Sequence, residues 1–388
     1  MASSKLCAGQ VVAETRAILT LAGGDLPPDA VFEILLRLPG RDLCRLRAVC
    51  RPWRSLLSDP AFAAAHADRH AEPLVVAGYA KHTSNNGVLY DILDLSGRVV
   101  RRVHAAATTP TENEWVASTG PGLVCVAAAG VAFALPRGLA EDHAAHERDI
   151  SHHTAMVALG QVGSTGERKV LRVLHLFPDM ARQLYEIITL DGGDRCRWRK
   201  AMDPAHTVGL GTWTAIDGVV YFFSSEFIQG QDVMPDRIAS FDLETEEWRP
   251  TIRGPVSSSL ADDVGGHPIN HLDWGEFSLA AMNGCLVMTH RVFSSSMDLW
   301  FLMDVEKGLW VKKHVLQLSI SYQHGEHAVR PLLVLDDGRI VLVHIGNRGS
   351  LKIYDPRTSS STDVAVLGPC VAVGLFAGSV LSLANGDS

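Results

Sequence analysis

This sequence predicts a small all-α head followed by a mainly-β body, the body β-propeller-like with about six blades. Three observations carry that reading. Residues 25–58, DLPPDAVFEILLRLPGRDLCRLRAVCRPWRSLLS, are helical in pattern and apolar on more than one side. From about residue 73 the chain breaks into short apolar runs divided by turn dipeptides such as Asp217-Gly218 and Asn283-Gly284. Those runs recur, weakly, as strand, tight turn, strand, then a further strand ending in a turn. An irregular pair of packed sheets accounts for much of the same body pattern.

At 388 residues the chain has room for one large β domain plus a small module. Its 47% hydrophobic and 20% charged residues mark a globular chain rather than a disordered one. A formal net charge of −8 argues against a general binder of nucleic acid or anionic membrane, which would carry a basic face. The seven cysteines (Cys7, Cys44, Cys50, Cys125, Cys196, Cys285, Cys370) are odd in number and scattered, with no CxxC pair. They read as reduced thiols of a protein in the cytosol or nucleus, and the lack of an N-x-S/T sequon accords with that. Glu14 and Arg16 interrupt the apolar N-terminus, so 1–24 is expected to be a flexible segment and not a signal peptide. The longest uncharged apolar run, Leu123 to Leu135, is thirteen residues. A bilayer span needs roughly 20, so no membrane partner is expected.

In the head, Pro27 and Pro28 suit the first turn of a helix, where a missing N–H costs nothing. The helix AVFEILLRL should stop at Pro39, whose ring clashes with the preceding turn. Val31, Leu35 and Leu38 line one face and Phe32 and Leu36 another, with Ile34 between, so little of the circumference is polar. Asp42 is the expected cap of a second helix, LCRLRAV, whose Leu43, Leu46 and Val49 share a stripe. Pro52 starts a third helical turn carrying Trp53, Leu56 and Leu57, and Asp59-Pro60 begins a fourth, AFAAAHADRH. About 40 residues rarely bury enough surface to stand alone. Each exposed Leu or Ile forgoes about 1.5–3 kcal/mol of burial. Some of this surface must therefore be covered, either by the chain's own body or by another protein.

The string LPPD, then EILLRLP, then LCRLRAVCRPWRSLL, followed by SDPAF, resembles an F-box over about 45 consecutive positions. The resemblance implies a module, 25–70, that docks on a Skp-type adaptor and through it on a cullin scaffold and a ubiquitin-conjugating machine. Carried over position by position, it places Leu26, Pro27, Ile34, Leu35, Leu38, Pro39, Leu43, Val49, Cys50 and Trp53 at or under the adaptor interface. Some of these must instead form the head's own core, and sequence does not separate the two sets. Trp53 is the expected hot spot, because buried tryptophan dominates such interfaces. The six arginines Arg37, Arg41, Arg45, Arg47, Arg51 and Arg54 suit a solvated rim facing an acidic partner.

In the body, 73–388, Asn86-Gly87, Asp217-Gly218, Asn283-Gly284 and Asp337-Gly338 each sit between apolar runs and are expected hairpin turns. WTAIDGVVYFF, LAAMNGCLVMTH and LLVLDDGRIVLVH are variants of one unit, each followed by a strand: IASFDLETEEW, LWFLMDVEKGLW and LKIYDPRTSS. Two of these tails place an Asp six residues before a Trp, Asp242 with Trp248 and Asp304 with Trp310. The clearest blades are 207–253, 275–318 and 329–366; 73–105, 112–136 and 153–200 are the others. YEIITL, GVVYF and IASFDLETEEW resemble strands of the F-box-associated domain of the large plant F-box families, and the closing GLFAGSVLSL resembles their C-terminal strand. In such a protein the body recognises the target to be ubiquitinated.

Several clusters invite a chemical reading and fail it. His143, His146, His152 and His153, and likewise His267 and His271 with Asp262 and Asp263, fit solvated loops better than a zinc site of fixed geometry. RCRWRK around Trp198 interleaves cations with an aromatic, yet fits a blade-closing tryptophan better than a nucleic-acid platform. No G-x-S-x-G elbow, phosphate loop or dinucleotide fingerprint occurs. No metal, cofactor or catalytic residue is expected. Target recognition is expected on long inserts of a rigid scaffold, at Phe227, Ile228, Met234, Ile269 and Trp274. The resemblance thus implies a non-catalytic substrate receptor of a cullin-based ubiquitin ligase. The rivals are an F-box interaction protein without ubiquitin transfer and a propeller enzyme, which would need acidic and basic groups converging in a central channel.

Overall fold

The computed structural model describes residues 27–70, 72–79, 87–106, 115–120, 123–127, 153–176, 182–190, 197–225, 227–228, 231–232, 236–257, 276–293, 295–318 and 326–376. The head is four short helices: α1 (Pro28–Leu36), α2 (Gly40–Leu46), α3 (Arg51–Leu57) and α4 (Pro60–Arg69). Proline occupies the first turn of α1, α3 and α4, as its fixed φ favours. At α4 the Asp59 carboxylate accepts from the Ala61 amide at 2.7 Å. The Asp42 cap expected for α2 does not form. Pro39 holds the N-cap position instead, Asp42 lies in the first turn, and the helix ends at Leu46. Val49 therefore falls in the turn beyond the helix, outside the stripe the sequence suggested.

Val31, Leu35, Leu36, Leu43, Leu56, Leu57 and Phe62 form the head's core, with Phe32 edge-on to Phe62 at 5.1 Å. The last carbonyls of a helix lack internal partners. Here α4 and the residue that caps it reach the end of α1 and the turn beyond it: His66 Nε2 meets the Leu38 carbonyl at 2.9 Å and His70 Nε2 the Leu36 carbonyl at 2.9 Å. The two imidazoles stack at 4.3 Å.

The body strands, in chain order, are β1 (Leu74–Tyr79), β2 (Gly87–Leu93), β3 (Val99–Ala106), β4 (Trp115–Gly120), β5 (Leu123–Ala127), β6 (His153–Gln161), β7 (Arg168–Leu176), β8 (Gln183–Thr189) and β9 (Arg199–Lys200). There follow β10 (Thr207–Ile216), β11 (Val219–Ser225), β12 (Phe227–Ile228), β13 (Gln231–Asp232), β14 (Ile238–Asp242), β15 (Glu247–Ile252), β16 (Glu276–Met282), β17 (Cys285–Phe293), β18 (Ser296–Asp304) and β19 (Leu309–Gln317). The last are β20 (Glu326–Val334), β21 (Ile340–Asp355) and β22 (Ser360–Phe376). Three sheets are four-stranded, β6-β7-β8-β9, β10-β11-β14-β15 and β16-β17-β18-β19, and β4-β5 and β12-β13 are pairs. The sixth sheet has the order β20-β21-β22-β1-β2-β3, and every pairing is antiparallel.

That sheet joins the two ends of the body. One stretch of β22 pairs with β21, and the next, from Cys370 to Phe376, pairs with β1. The strand thus runs on past residue 366, where the sequence suggested a blade would end. The lead strands of neighbouring sheets touch in the series β22, β4, β6, β10, β16, β20, and β20 shares the sheet of β22.

Two hairpin turns match their dipeptides. Asp217-Gly218 and Asn283-Gly284 both take positive φ at each residue (47° and 77°, 49° and 74°), the type I′ geometry that suits strand twist. Asn86-Gly87 does not behave this way. Gly87 pairs with Ala106 as the first residue of β2, and Asn86 lies outside the described residues. The tight turn falls one connection later, at Gly97 (φ 80°), where the Asp94 carboxylate accepts from the Ser96 and Arg98 amides. Asp94-Leu-Ser-Gly-Arg98 is a variant of Asp336-Asp-Gly-Arg339, a signal that the dipeptide search passes over.

Much of the core lies between sheets, although one cluster, around Val75, Val341 and Leu367, belongs to the six-stranded sheet alone. Leu171, Ile187, Phe222, Phe241 and Leu243 fill the seam between β6–β9 and β10–β15, with Trp248 packed against them. Polar clips hold the seams. Trp248 Nε1 donates to the Met202 carbonyl at 2.7 Å, just beyond β9, and Trp310 Nε1 to the Arg253 carbonyl at 2.8 Å, just beyond β15. The Asn283 side chain both donates to and accepts from the Val334 backbone, each at 2.9 Å. The Asp–Trp spacing of the repeat now has its cause: the Asp organises the turn and the Trp reaches the preceding sheet. Asp242 accepts from the Glu244 amide at 2.8 Å and the Arg249 guanidinium at 2.6 Å, and Asp304 from the Lys307 amide at 3.0 Å.

Candidate docking surface of the head

The structure divides the ten head residues that the sequence left together. Leu35 and Leu43 are buried in the core. Leu38, Cys50 and Trp53 are half-buried, and Leu38 and Trp53 pack on that core from its rim. Pro27 and Pro39 are exposed, as are Ile34 at 48% and Val49 at 65%. Leu26 lies outside the described residues. The exposed members come from the start of the head, the outer side of α1, the α1–α2 turn and the turn after α2. Isoleucine and valine in those positions stay wet although the helices beneath them already have a filled core.

The charges around this surface also separate. Arg37, Arg45, Arg51 and Arg54 are exposed. Arg47 is half-buried and donates from its guanidinium to Ser58 Oγ at 2.6 Å, and burial pulls its pKa below the usual value despite the neighbouring Cys44. Burial pushes the Cys44 thiol upward, against the opposing pull of Arg101 and Arg47. Arg101 belongs to β3, which α2 touches. The head therefore rests on its own body along α2 while leaving Ile34 and Val49 uncovered. Among the described residues Cys44, Cys50, Cys285 and Cys370 form no disulfide.

The expected target contacts are seen only in part. Phe227 and Ile228 form β12, opposite Asp232 and Gln231 of β13. Met234, Ile269 and Trp274 lie outside the described residues, as do His143, His146, His152, His267 and His271. Trp198 is buried, with the Arg172 guanidinium 4.3 Å over its ring and Arg172 paired to Glu186. It is a core residue, not an exposed stacking platform. No helix among the described residues is long and apolar enough to cross a membrane. The sequence reading missed several wet apolar side chains on β18, β19 and the turn between them, Met303, Val305, Leu309, Val311 and Val315. Their signal, alternate apolar residues in LWVKKHV, is also that of an ordinary half-buried strand.

The chain thus combines a four-helix head that has its own core and exposed apolar residues with a mainly-β body of packed antiparallel sheets. The comparisons agree. Residues 24–63 match the F-box domain and residues 151–371 match the F-box associated beta propeller domain. The F-box protein At3g57590 of Arabidopsis thaliana is 24% identical over 314 residues, covering 74% of this chain and 70% of that protein. The F-box/LRR-repeat protein At2g43260 of the same plant is 22% identical over 376 residues, covering 89% and 81%. For the head alone, the F-box/kelch-repeat protein At3g23880, also of Arabidopsis thaliana, is 51% identical over 43 residues, covering 11% of this chain and 12% of that protein. The chain belongs to the F-box proteins that carry an F-box associated beta propeller domain. That pairing supports a substrate-receptor role in Skp–cullin–F-box complexes in general.

Proposed function

We propose that this protein is the substrate-recognition subunit of a Skp–cullin–F-box ubiquitin ligase of the cytosol or nucleus. Its head binds a Skp-type adaptor through Ile34 and Val49, rimmed by Pro27 and Pro39 and backed by Trp53, Leu38 and Cys50. Leu35 and Leu43 support that surface from below. The body is read as a propeller-like ring of about six blades, its two ends joined where β22 pairs with β1, that presents a target protein. The chain performs no chemistry of its own. It raises the effective concentration of a target lysine near the conjugating enzyme, an effect of position alone.

The observation that carries the reading is the exposure of Ile34 and Val49 on a head whose core is already filled. Apolar surface left wet on a packed module marks an interaction site. Co-purification with a Skp-type adaptor tests it. Ile34→Asp with Val49→Asp should reduce binding at least tenfold while the circular dichroism of the chain stays unchanged. Undiminished binding by that double variant would remove these residues from the interface, and no binding by the folded wild type would overturn the receptor reading.

A further inference from the structure

Cations gather where the head meets the body. Arg47 stands half-buried at the C-terminal end of α2, and its guanidinium donates to Ser58 Oγ from Nη2 at 2.6 Å and from Nε at 3.2 Å. Arg54 of α3 is exposed, and its Nε donates to the Arg47 carbonyl at 3.4 Å. Arg101 comes from the body, on β3, the strand that α2 touches, and its guanidinium donates to Cys44 Sγ. The three charges act on one another: Arg101 and Arg54 both help to hold the Arg47 pKa below its usual value. Like charges brought together are relieved when one is lost or when an anion joins them. A guanidinium keeps its proton in a protein, so an anion is the remedy that is left.

The acids of these elements and their neighbours are engaged elsewhere. Asp42 lies 3.9 Å from Arg45, and Asp59 accepts from the Ala61 amide at the start of α4. Asp91 takes the Arg102 guanidinium and Asp94 that of Arg98. The junction offers donors instead. Guanidinium forks match pairs of oxygens on an oxyanion. The Ser58 hydroxyl, which accepts from Arg47, still has its own proton to donate. Burial pushes the Cys44 thiol upward, so it keeps its proton and adds no negative charge. With the whole chain at −8, no general field draws anions to this protein, and attraction here is a local property of the cluster.

We propose that Arg47, Arg54 and Arg101, together with Ser58, bind a small oligophosphate anion at the junction of head and body. One phosphoryl group carries a charge of about −1.5 to −2 near neutral pH. Three guanidinium charges exceed that, so the cluster fits linked phosphoryl groups better than one. Two of the arginines belong to the head and one to the body. The bound anion therefore ties α2 and α3 to β3 across the junction. This site goes beyond the receptor reading and does not depend on it.

The probe is inorganic tripolyphosphate, titrated calorimetrically into the full-length protein at constant ionic strength made up with chloride. Saturable binding of one equivalent is expected, at least tenfold tighter than that of inorganic phosphate. Arg54→Gln and Arg101→Gln should each weaken it at least tenfold in chains whose circular dichroism is unchanged. They change different parts of the molecule, so a folding fault in one leaves the other as a test. Arg339→Gln, which alters an exposed arginine paired with Asp337 in the β20–β21 turn, should bind as the wild type does. The proposal is overturned if no saturable binding occurs, or if phosphate binds as tightly as tripolyphosphate. It is overturned too if either cluster variant binds as well as the wild type, or if Arg339→Gln weakens binding as much as they do. Adaptor co-purification on the same samples reports on the receptor role alone, so the two readings fail separately.

Discussion

The head and the body of this protein solve the burial problem at different ranges. The head packs four consecutive helices against one another, and its core residues all lie between Val31 and Ala63. The body places much of its core in seams between sheets, and those seams are built from distant segments. Trp248 reaches back 46 positions to Met202, Trp310 57 to Arg253, and Lys169 forward 74 to the Leu243 carbonyl. A locally assembled module can spare apolar residues for a partner once its small core is full. A sheet that shares its core with two neighbours cannot lose one side chain without disturbing both. The comparison teaches that the head's packing is settled within one short stretch, whereas each seam of the body depends on segments far apart in the chain.

The hardest blow to that comparison should come from Phe222→Ala, which empties the seam between β6–β9 and β10–β15. A loss of about 3–5 kcal/mol is expected, read by urea unfolding, with adaptor binding by the folded fraction unchanged. If the adaptor is released in step with the body, head and body form one cooperative unit. Leu43→Ala removes a fully buried head residue and should cost about 2–5 kcal/mol. Helical ellipticity and adaptor binding should fall together while the strand signal persists. Trp310→Phe keeps most of the ring and deletes only the donor to Arg253, for which about 0.5–1.5 kcal/mol is expected. A much larger loss would mean that the indole is packed more tightly than its half-buried surface suggests.

The smallest and most diagnostic effects should appear with pH. Burial lowers the pKa of His66 below its usual 6.5, against the pull of the Leu38 carbonyl and with the help of His70. The folded head therefore favours the neutral imidazole. Its contribution is complete above 6.5 and fades as the pH falls through the lower folded value. In the body, burial works to raise Asp242, but Arg249 and the Glu244 and Thr245 amides together hold it below its usual 3.8. Asp304 and Asp337 are held down by Lys307 and by Arg339. Their contribution is present above 3.8 and is lost only as the pH falls through the depressed values. Acid titration followed by circular dichroism should show helix loss beginning at a higher pH than strand loss. The opposite order would contradict the assignment of these groups.

Short-range chemistry was readable from single residues. Proline at the helix starts, the Asp59 cap and the positive-φ turns at Gly218 and Gly284 each follow from a residue and its immediate neighbours. The adaptor-facing module was legible for the same reason, since its pattern is contained in one short stretch. The errors were local too. Asp42 looks like a cap, but Pro39 had already started the helix. Asn86-Gly87 looks like a turn, but Gly87 is spent on pairing with Ala106.

What the sequence by itself determined is the division into a helical head and a β-rich body, the hairpin turns at Gly218 and Gly284, and the list of apolar head residues. Only the tertiary structure decided which of those residues are core and which are surface, because helix periodicity says that a residue has an apolar face without saying what already fills the space beneath it. The same holds for β19. Its alternation fits a buried strand and an open edge equally well, and the absence of a neighbouring strand among the described residues is a fact about long-range pairing that no stretch of LWVKKHVLQ contains.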